Sequence, residues 1–418
     1  MPIVIPPSCP KTAGSHDRCV SLADTALKID LLRRRFGITR LADTTRLDRT
    51  GIATATAIVP ASPDLISVYN GKGTSATAAF VGAVMEAVER QVTAAPALPS
   101  FLAPVAEIAR GLNLGSMGLR DDALDAVVPS VWGTDLLCGE EILVPLASVQ
   151  CPWFGRPLFD VTSTNGLASG NTLWEAIFHA LCEMVERHVW ALHHARSHLL
   201  PRTIFGAESA DRSSVREVRL PTGNAIVDDF VELLDREGLA LRLLWLDEDT
   251  LPLVTIASVY DPHLAPPMLH IGLGCSLSPE HAVLRAITEA IQCRVADIQA
   301  AREDLLRPGD PKGAHLEHGR RAHALPHGAW FFDAPAREIV DFEAMPDRST
   351  SDLAADLRAV VESLRSLGVS RVVAVDMTPG EPAFSVARTI VPELETLMID
   401  GRFGRWTSAI VNPFLTEA

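Results

Sequence analysis

Two Glu-x-x-Glu-Arg pentapeptides, Glu86-Ala-Val-Glu89-Arg90 and Glu183-Met-Val-Glu186-Arg187, each fall late in a stretch with helical periodicity. A variant, Glu289-Ala-Ile-Gln292-Cys-Arg294, follows about as far on again. Carboxylates three apart share one helix face, so three such helices packed on a common core would aim several glutamates at one point. Unaided, that arrangement repels itself. Divalent cations bound to a polyanion such as a nucleoside triphosphate would relieve the repulsion. The competing expectation is three ordinary solvated helix faces.

The elements that must position these acids can be read from the same periodicity. At about 100° per residue, Glu175, His179, Glu183 and Glu186 fall within about a quarter of one helix circumference, opposite Ile177, Ala180, Leu181 and Met184. In the first copy Ser75, Ala79, Gly82, Glu86 and Glu89 share a face against Phe80, Val81, Val84 and Val88. In the third, Arg285, Glu289 and Gln292 align opposite Leu284, Ile287 and Ile291, and an ideal helix turns Arg294 away from Glu289. A glycine-bearing polar segment precedes each helix: Gly71-Lys72-Gly73-Thr74, then Ser163 to Thr172, then Gly272-Leu-Gly274-Cys-Ser276 ahead of Pro279. All three read as glycine-polar loops leading into their helices, and in the second Asn and Gly favour left-handed backbone and free N–H groups. The glycines flanking Lys72 could hold phosphate at a helix start, although the full Walker spacing is missing.

Elsewhere the pattern predicts a helix over 20–36, a strand over 52–58 ended by Pro60 and Pro63, and a connector with short helices over 97–130. It continues with a strand over 142–149 carrying Pro145 on an edge, strands over 241–246 and 253–259, an exposed loop over 306–329, a helix over 351–367, and strands over 372–377 and 387–391. Regular right-handed crossover spacing is missing, which points to α+β architecture and not to a doubly wound sheet.

Composition narrows the partners. With 418 residues and 47% hydrophobic content the chain can bury a large core. A formal charge of -15 argues against a nucleic-acid backbone and favours a basic peptide or a metal–nucleotide complex. There is no signal-peptide pattern and no apolar run of membrane-spanning length, so the expected setting is cytoplasmic, without membrane or nucleic acid. Seven cysteines with no Cys-x-x-Cys pair argue against a disulfide framework or a zinc site. Cys182 and Cys293, on the motif helices, read as small buried hydrophobes and not as thiol nucleophiles. Adjacent His193 and His194 cannot share a helix face and read as the polar end of the long second helix.

The run Ser163-x-Asn165-Gly166-x-Ala168-x-Gly170-Asn171-x-x-x-Glu175-Ala176, continuing to Glu183-x-x-Glu186-Arg187, closely resembles the signature of the YcaO family. Gly71-Lys72-Gly73 through Glu86-x-x-Glu89-Arg90 is similar to that family's first ATP-site helix, and Arg285-Ala-x-x-Glu289-Ala-x-Gln292-x-Arg294 to its third. Lys11, Gly14, His16 and Arg18, with Gly37-Ile-Thr-Arg40 and Leu47-Asp-Arg49, resemble the branch associated with TfuA proteins, which points to thioamidation. The likeness extends over nearly the whole chain. It implies an α+β fold of mixed layers in which three acid-striped helices surround a nucleotide site, with an amino-terminal family-specific region at 1–65 and the YcaO domain at 66–418.

The resemblance also implies a chemistry: ATP with magnesium activates a peptide backbone amide. A nucleophile adds to the carbonyl, the oxyanion takes the γ-phosphoryl group, and loss of phosphate leaves an azoline, an amidine or a thioamide. Carried over by motif, Glu86, Glu89, Glu183 and Glu186 would hold magnesium. Asn171, Glu175 and Arg187 would contact ATP, with Lys11, Gln292 and Arg294 completing the site; no residue is assigned as a catalytic acid or base. The expected partners are a peptide or protein substrate, a TfuA-type protein and a sulfur donor, and a homodimer is compatible with the reading. Two departures stand out. Gly82 occupies the position, four before the first acid, where the family usually has a small hydroxyl residue. The chain ends Asn412-Pro413-Phe-Leu-Thr-Glu-Ala418 where ring-forming members carry Pro-x-Pro-x-Pro, and its amino-terminal region is too short for a leader-binding domain. The expectation is therefore a thioamide synthase, with a stand-alone azoline- or macroamidine-forming cyclodehydratase as the alternative. A non-catalytic nucleotide-binding scaffold, hinted only by Gly82, is the alternative from another class.

Overall fold

The computed structural model describes residues 2–159, 161–199, 215–246, 248, 252–263, 268–300, 330–332, 336 and 338–415. The loop expected at 306–329 lies outside them. Two short helices, α1 (Leu22–Ala26) and α2 (Ile29–Arg35), replace the single helix expected over 20–36. Strands β1 (Arg40–Asp43), β2 (Thr54–Ile58) and β3 (Val68–Lys72) then form an antiparallel sheet. Helix α3 (Ala76–Ala94) carries the first acid motif, capped by Ser75, whose side chain accepts from Ala78 N.

The expected connector over 97–130 contains more structure than turn residues suggested: β4 (Phe101–Pro104), α4 (Val105–Gly111) and the start of β5 (Val127–Asp135). β6 (Glu141–Pro145) pairs only with β5, so Pro145 sits on an edge, where no N–H is missed. β7 (Leu167–Gly170) precedes α5 (Leu173–His194), which is capped by Thr172. Next come β8 (Val215–Val218), α6 (Ala225–Arg236), β9 (Ala240–Leu246), β10 (Leu253–Asp261), β11 (Met268–Ser276) and α7 (Pro279–Ala300). The chain continues through β12 (Glu338–Val340), α8 (Leu353–Ser366), β13 (Val373–Asp376), β14 (Ser385–Ile390), α9 (Leu397–Asp400) and α10 (Arg405–Leu415). The larger sheets run β11-β10-β9-β8-β12 and β4-β5-β13-β14-β7. Apart from the parallel pair β8 and β12, the described ladders are antiparallel, as an α+β fold requires.

A single device recurs where the acids are. β3, β7 and β11 each run, through two or three residues, into the helix that packs back on them. The glycines expected to form loops instead lie in these strands or at their ends. A methyl group on Gly71 would sit 2.0 Å from Ala79 O, on Gly170 2.6 Å from Glu175 Cβ, on Gly272 2.1 Å from Ala286 O and on Gly274 2.0 Å from Ala282 O. Their role is close backbone approach, not left-handed turning or phosphate cradling. Gly166 alone among the glycines of these three segments has the left-handed conformation, with φ 77.

Burial overturns two polar readings. α5 is enclosed nearly all round, so its acid stripe is not a solvated face: Glu175 is 0% exposed and Glu186 3%. His193 is fully buried, its ring stacked on Trp330 and its imidazole held down at about 3 by burial, so it is interior rather than a polar helix end. All seven cysteines are free, with Cys9 Sγ and Cys19 Sγ 2.7 Å apart. Among the described residues, no helix is long and apolar enough to cross a membrane.

Candidate active site

α3 contributes Glu86 and Glu89, α5 Glu183 and Glu186, and α7 Glu289. Their mutual fields show that they form one cluster. Burial, reinforced by repulsion from Glu289, pushes Glu86 up to about 7 against the pull of Arg90 and Lys72. Burial and the charges of Glu183 and Glu86 take Glu89 well above the usual carboxylate range. Glu186 is pushed up to about 7, chiefly by burial with Glu289 and Glu183 adding, and Glu183 is raised by burial against Arg187 and Arg388. Glu289 goes the other way. Burial would raise it, but the field and hydrogen bond of Lys72, with Arg187 and Arg285, outweigh that and lower it.

The backbone holds these acids by single contacts. Asn70 N donates to Glu86 Oε2 at 3.1 Å and Gly166 N to Glu183 Oε2 at 3.2 Å, while Lys72 pairs with Glu289. Ser169, whose hydroxyl donates to Met85 O at 3.5 Å, lies beside Glu89 and lowers it. Each carboxylate keeps lone pairs unused, and Glu183 and Glu289 retain 28% and 23% of their side-chain surface accessible. Among the described residues no three His, Cys, Asp or Glu side chains converge closely enough to hold a metal ion unaided. That donor set still fits a magnesium–triphosphate complex, because magnesium commonly takes only one or two carboxylates and completes its shell with phosphate and water.

The remaining expected residues divide by environment. Arg187 joins the cluster, its Nη2 3.8 Å from Glu186 and 4.0 Å from Glu183. Gln292 is adjacent to it: Nε2 donates to Asn70 O at 2.8 Å, the residue whose N–H holds Glu86. Glu175 and Asn171 sit two turns of α5 toward its start. There Glu175 accepts from Cys19 N, Val20 N, Asn171 N and Arg18, and Asn171 bridges Lys28 and Thr25. Ser169 lies between the two groups, its side chain beside Glu89 and its carbonyl accepting from Arg18. Lys11 lies in a separate buried group, 2.5 Å from Asp356 and 3.5 Å from Asp17. Arg294 is not brought to the acids. It is on the far face of α7, buried at 2% and bonded to Asp48 and Asp261 at 2.9 and 2.8 Å.

Five cations at or beside the cluster were not in the expected set: Lys72, Arg90, Arg285, Arg388 and Arg18. Arg285 was visible on the acid stripe of the third helix. Arg388 had the plainer signal, a lone charge in the otherwise apolar and hydroxylic strand Val386-Ala-Arg-Thr-Ile390.

Comparison with known proteins places this geometry. Residues 70–395 match a family described as YcaO cyclodehydratase, ATP- and Mg2+-binding. A protein of Methanothermobacter thermautotrophicus is 32% identical over 398 residues, covering 93% of this chain and 98% of its own. One described as lying in the tfuA 3' region of Rhizobium leguminosarum bv. trifolii is 31% identical, covering 91% of this chain and 89% of its own. Among solved structures, YcaO from Methanopyrus kandleri bound with AMPPCP and Mg2+ superposes with a TM-score of 0.67 at 22% identity, over 93% of this chain and 95% of that one. A heterocyclase in complex with substrate and cofactor gives a TM-score of 0.78 at 18% identity, over 97% of this chain and 56% of that one.

Proposed function

The chain belongs to the YcaO family, a family described as ATP- and Mg2+-binding, and from that premise we propose that it activates a peptide backbone amide by ATP-dependent O-phosphorylation and converts it to a thioamide with a TfuA-type partner. The observation that carries the nucleotide part is the five-carboxylate cluster, whose repulsion and burial hold protons on Glu86 and Glu186 up to about 7. A bound magnesium–triphosphate complex would supply the transferable phosphoryl group, and its magnesium the positive charge this cluster lacks. Glu86, Glu89, Glu183 and Glu186 would hold the metal, with Glu289 oriented by Lys72 beside them. Arg187 and Arg285 would face the phosphates. Asn171 and Glu175, pinned by the amino-terminal segment, would hold the far end of the nucleotide, while Gln292 keeps Asn70 and hence Glu86 in place.

The thioamide outcome is supported by Lys11, His16 and Arg18 and by the relative from a tfuA region. Lys11 and Arg18 do real positioning in that segment, since Lys11 fixes it to Asp356 and Arg18 to Glu175. Dehydrative cyclisation is the second reading, favoured by the family description and the heterocyclase likeness. One experiment separates them: the purified protein with ATP, magnesium, sulfide, a TfuA-type protein and a candidate peptide, read by mass spectrometry. A gain of about 16 Da, sulfur for oxygen, is expected; a loss of about 18 Da without sulfide would establish the cyclodehydratase, and no ATP-dependent change would leave a scaffold.

A further inference from the structure

Arg388 is the cation of this region whose position the expected chemistry does not use. It lies on β14, opposite Leu167 of β7, and is 7% exposed. Its Nε donates to Ser148 O at 3.2 Å and its Nη2 to Ser163 O at 2.8 Å. Both anchors are neutral carbonyls. Nη1 is buried with no hydrogen-bond partner, and no carboxylate lies within 4 Å of the guanidinium among the described residues. Arg90 is paired to Asp64 at 2.8 Å, Lys72 to Glu289 and Arg187 to Glu183 and Glu186, so a buried guanidinium without a counter-ion is exceptional in this neighbourhood. Arg285 is also unpaired, but the charges of Glu186 and Glu289 surround it and stabilise its cation. At Arg388 burial outweighs the fields of Cys151, Glu183 and Glu89, and its pKa falls below the usual arginine value.

A buried cation held rigidly by neutral oxygens, with one donor left over, costs free energy until an anion arrives. Its place within the fold says which anion. Gly166 N donates to Glu183, and Gly166 O accepts from Thr389 N, the residue after Arg388, while Glu183 lies about 12 Å along α5 from Glu175, and so toward the end of the site away from Asn171 and Glu175. If those two residues hold the nucleoside end, as the proposed function has it, the opposite end receives the terminal phosphoryl group. We propose that Arg388 Nη1 is the donor of an anion subsite that binds an oxygen of that phosphoryl group, and of phosphate once it has been released. Guanidinium suits this role because two of its nitrogens can be spent on orientation while the third binds.

The inference rests on the nucleotide reading, and its test has an arm that does not. Magnesium with either AMPPCP or ADP is titrated calorimetrically into the full-length wild type and R388Q. Triphosphate affinity should fall about tenfold or more in R388Q while ADP affinity stays within about twofold, the loss expected for one charge-assisted hydrogen bond. Equal losses for both nucleotides, or none for either, overturn the assignment. In the second arm, inorganic phosphate is added to nucleotide-free wild type and R388K, a variant that keeps the charge but cannot both reach the two carbonyls and present a donor. Phosphate should raise the Tm of wild type clearly more than that of R388K, and an equal rise overturns the subsite. Should wild type bind no nucleotide yet be protected by phosphate through Arg388, the nucleotide reading fails and the anion subsite stands.

Discussion

Helix α7 carries two buried ionic groups on opposite faces, and they are built on opposite principles. On one face Arg294 is bonded to Asp48 and Asp261, and Asp261 is further paired with Arg49 at 2.9 Å. Burial alone would raise Asp261, but the bonds from Arg49 and the His263 N–H, with the field of Arg294, hold it below the usual range. On the other face Glu289 joins four more glutamates, all four raised by burial and like charge. Charge that is balanced by geometry holds a fold together. Charge that is crowded and only partly paired is tolerated because something else is meant to complete it.

The strongest way to break this contrast is on the balanced face. Arg294→Ala should cost about 3 kcal/mol or more, since Asp48 loses its guanidinium partner in a buried site, with nucleotide affinity unchanged in whatever protein remains folded. A urea melt within about 1 kcal/mol of wild type would end the distinction. On the crowded face the signs should invert. Glu183→Gln and Glu186→Gln should each weaken magnesium–nucleotide binding by about tenfold or more while leaving Tm unchanged or higher, because a repelling charge is removed. Equal affinity in wild type and both variants, by calorimetry, removes the site assignment.

A pH series sharpens the comparison further. With Glu86 and Glu186 at about 7 in the folded protein and 4.5 as their ordinary value, the folded state keeps protons that the unfolded chain has already released between those two limits. This contribution is present in full below 4.5 and is lost as pH rises through 7, so the metal-free protein should lose stability across that window. Glu86→Gln should flatten part of the slope and Arg294→Ala should not; a Tm that stays level from about pH 5 to 7.5 would contradict the raised values. The smallest effect is expected at Gly82. A methyl group there would meet its nearest neighbours, Gly71 Cα and Lys72 O, at 3.5 Å, an ordinary contact, so Gly82→Ser should shift stability by no more than about 0.5 kcal/mol. Any gain in nucleotide affinity would show that the missing hydroxyl matters, and no gain that the site works without it.

The sequence made the acid stripes legible because helical periodicity survives burial: Glu86, Glu89, Glu183 and Glu186 project together whether the face meets solvent or a neighbouring helix. The same projection turned Arg294 away, and only the family resemblance drew it into the site. Glycine was harder. Gly71, Gly272 and Gly274 allow either a turn or an intimate strand–helix contact, and no local pattern separates the two. His193 misled because its polar type suggests exposure, whereas the aromatic and acidic partners that enclose it, Trp330 and Glu248, come from distant parts of the chain. Arg388 could be picked out as a lone charge in its strand, but its meaning lies in the counter-ion it lacks, which no spacing encodes.

The glycine contacts behind β3 and β11 have a mechanical consequence. Where helix rests on strand backbone to backbone, with no side chain between, there is nothing soft to compress or relax, and hard-core repulsion grows steeply with the smallest displacement. The acids on α3 and α7 are thus mounted on a stiff chassis, and the spacing between them is set by atoms that never touch a ligand. A receptor of fixed spacing sorts ions by size. It favours the smaller cation that tolerates little deviation from octahedral geometry over a larger one that would need the walls to part for extra oxygens.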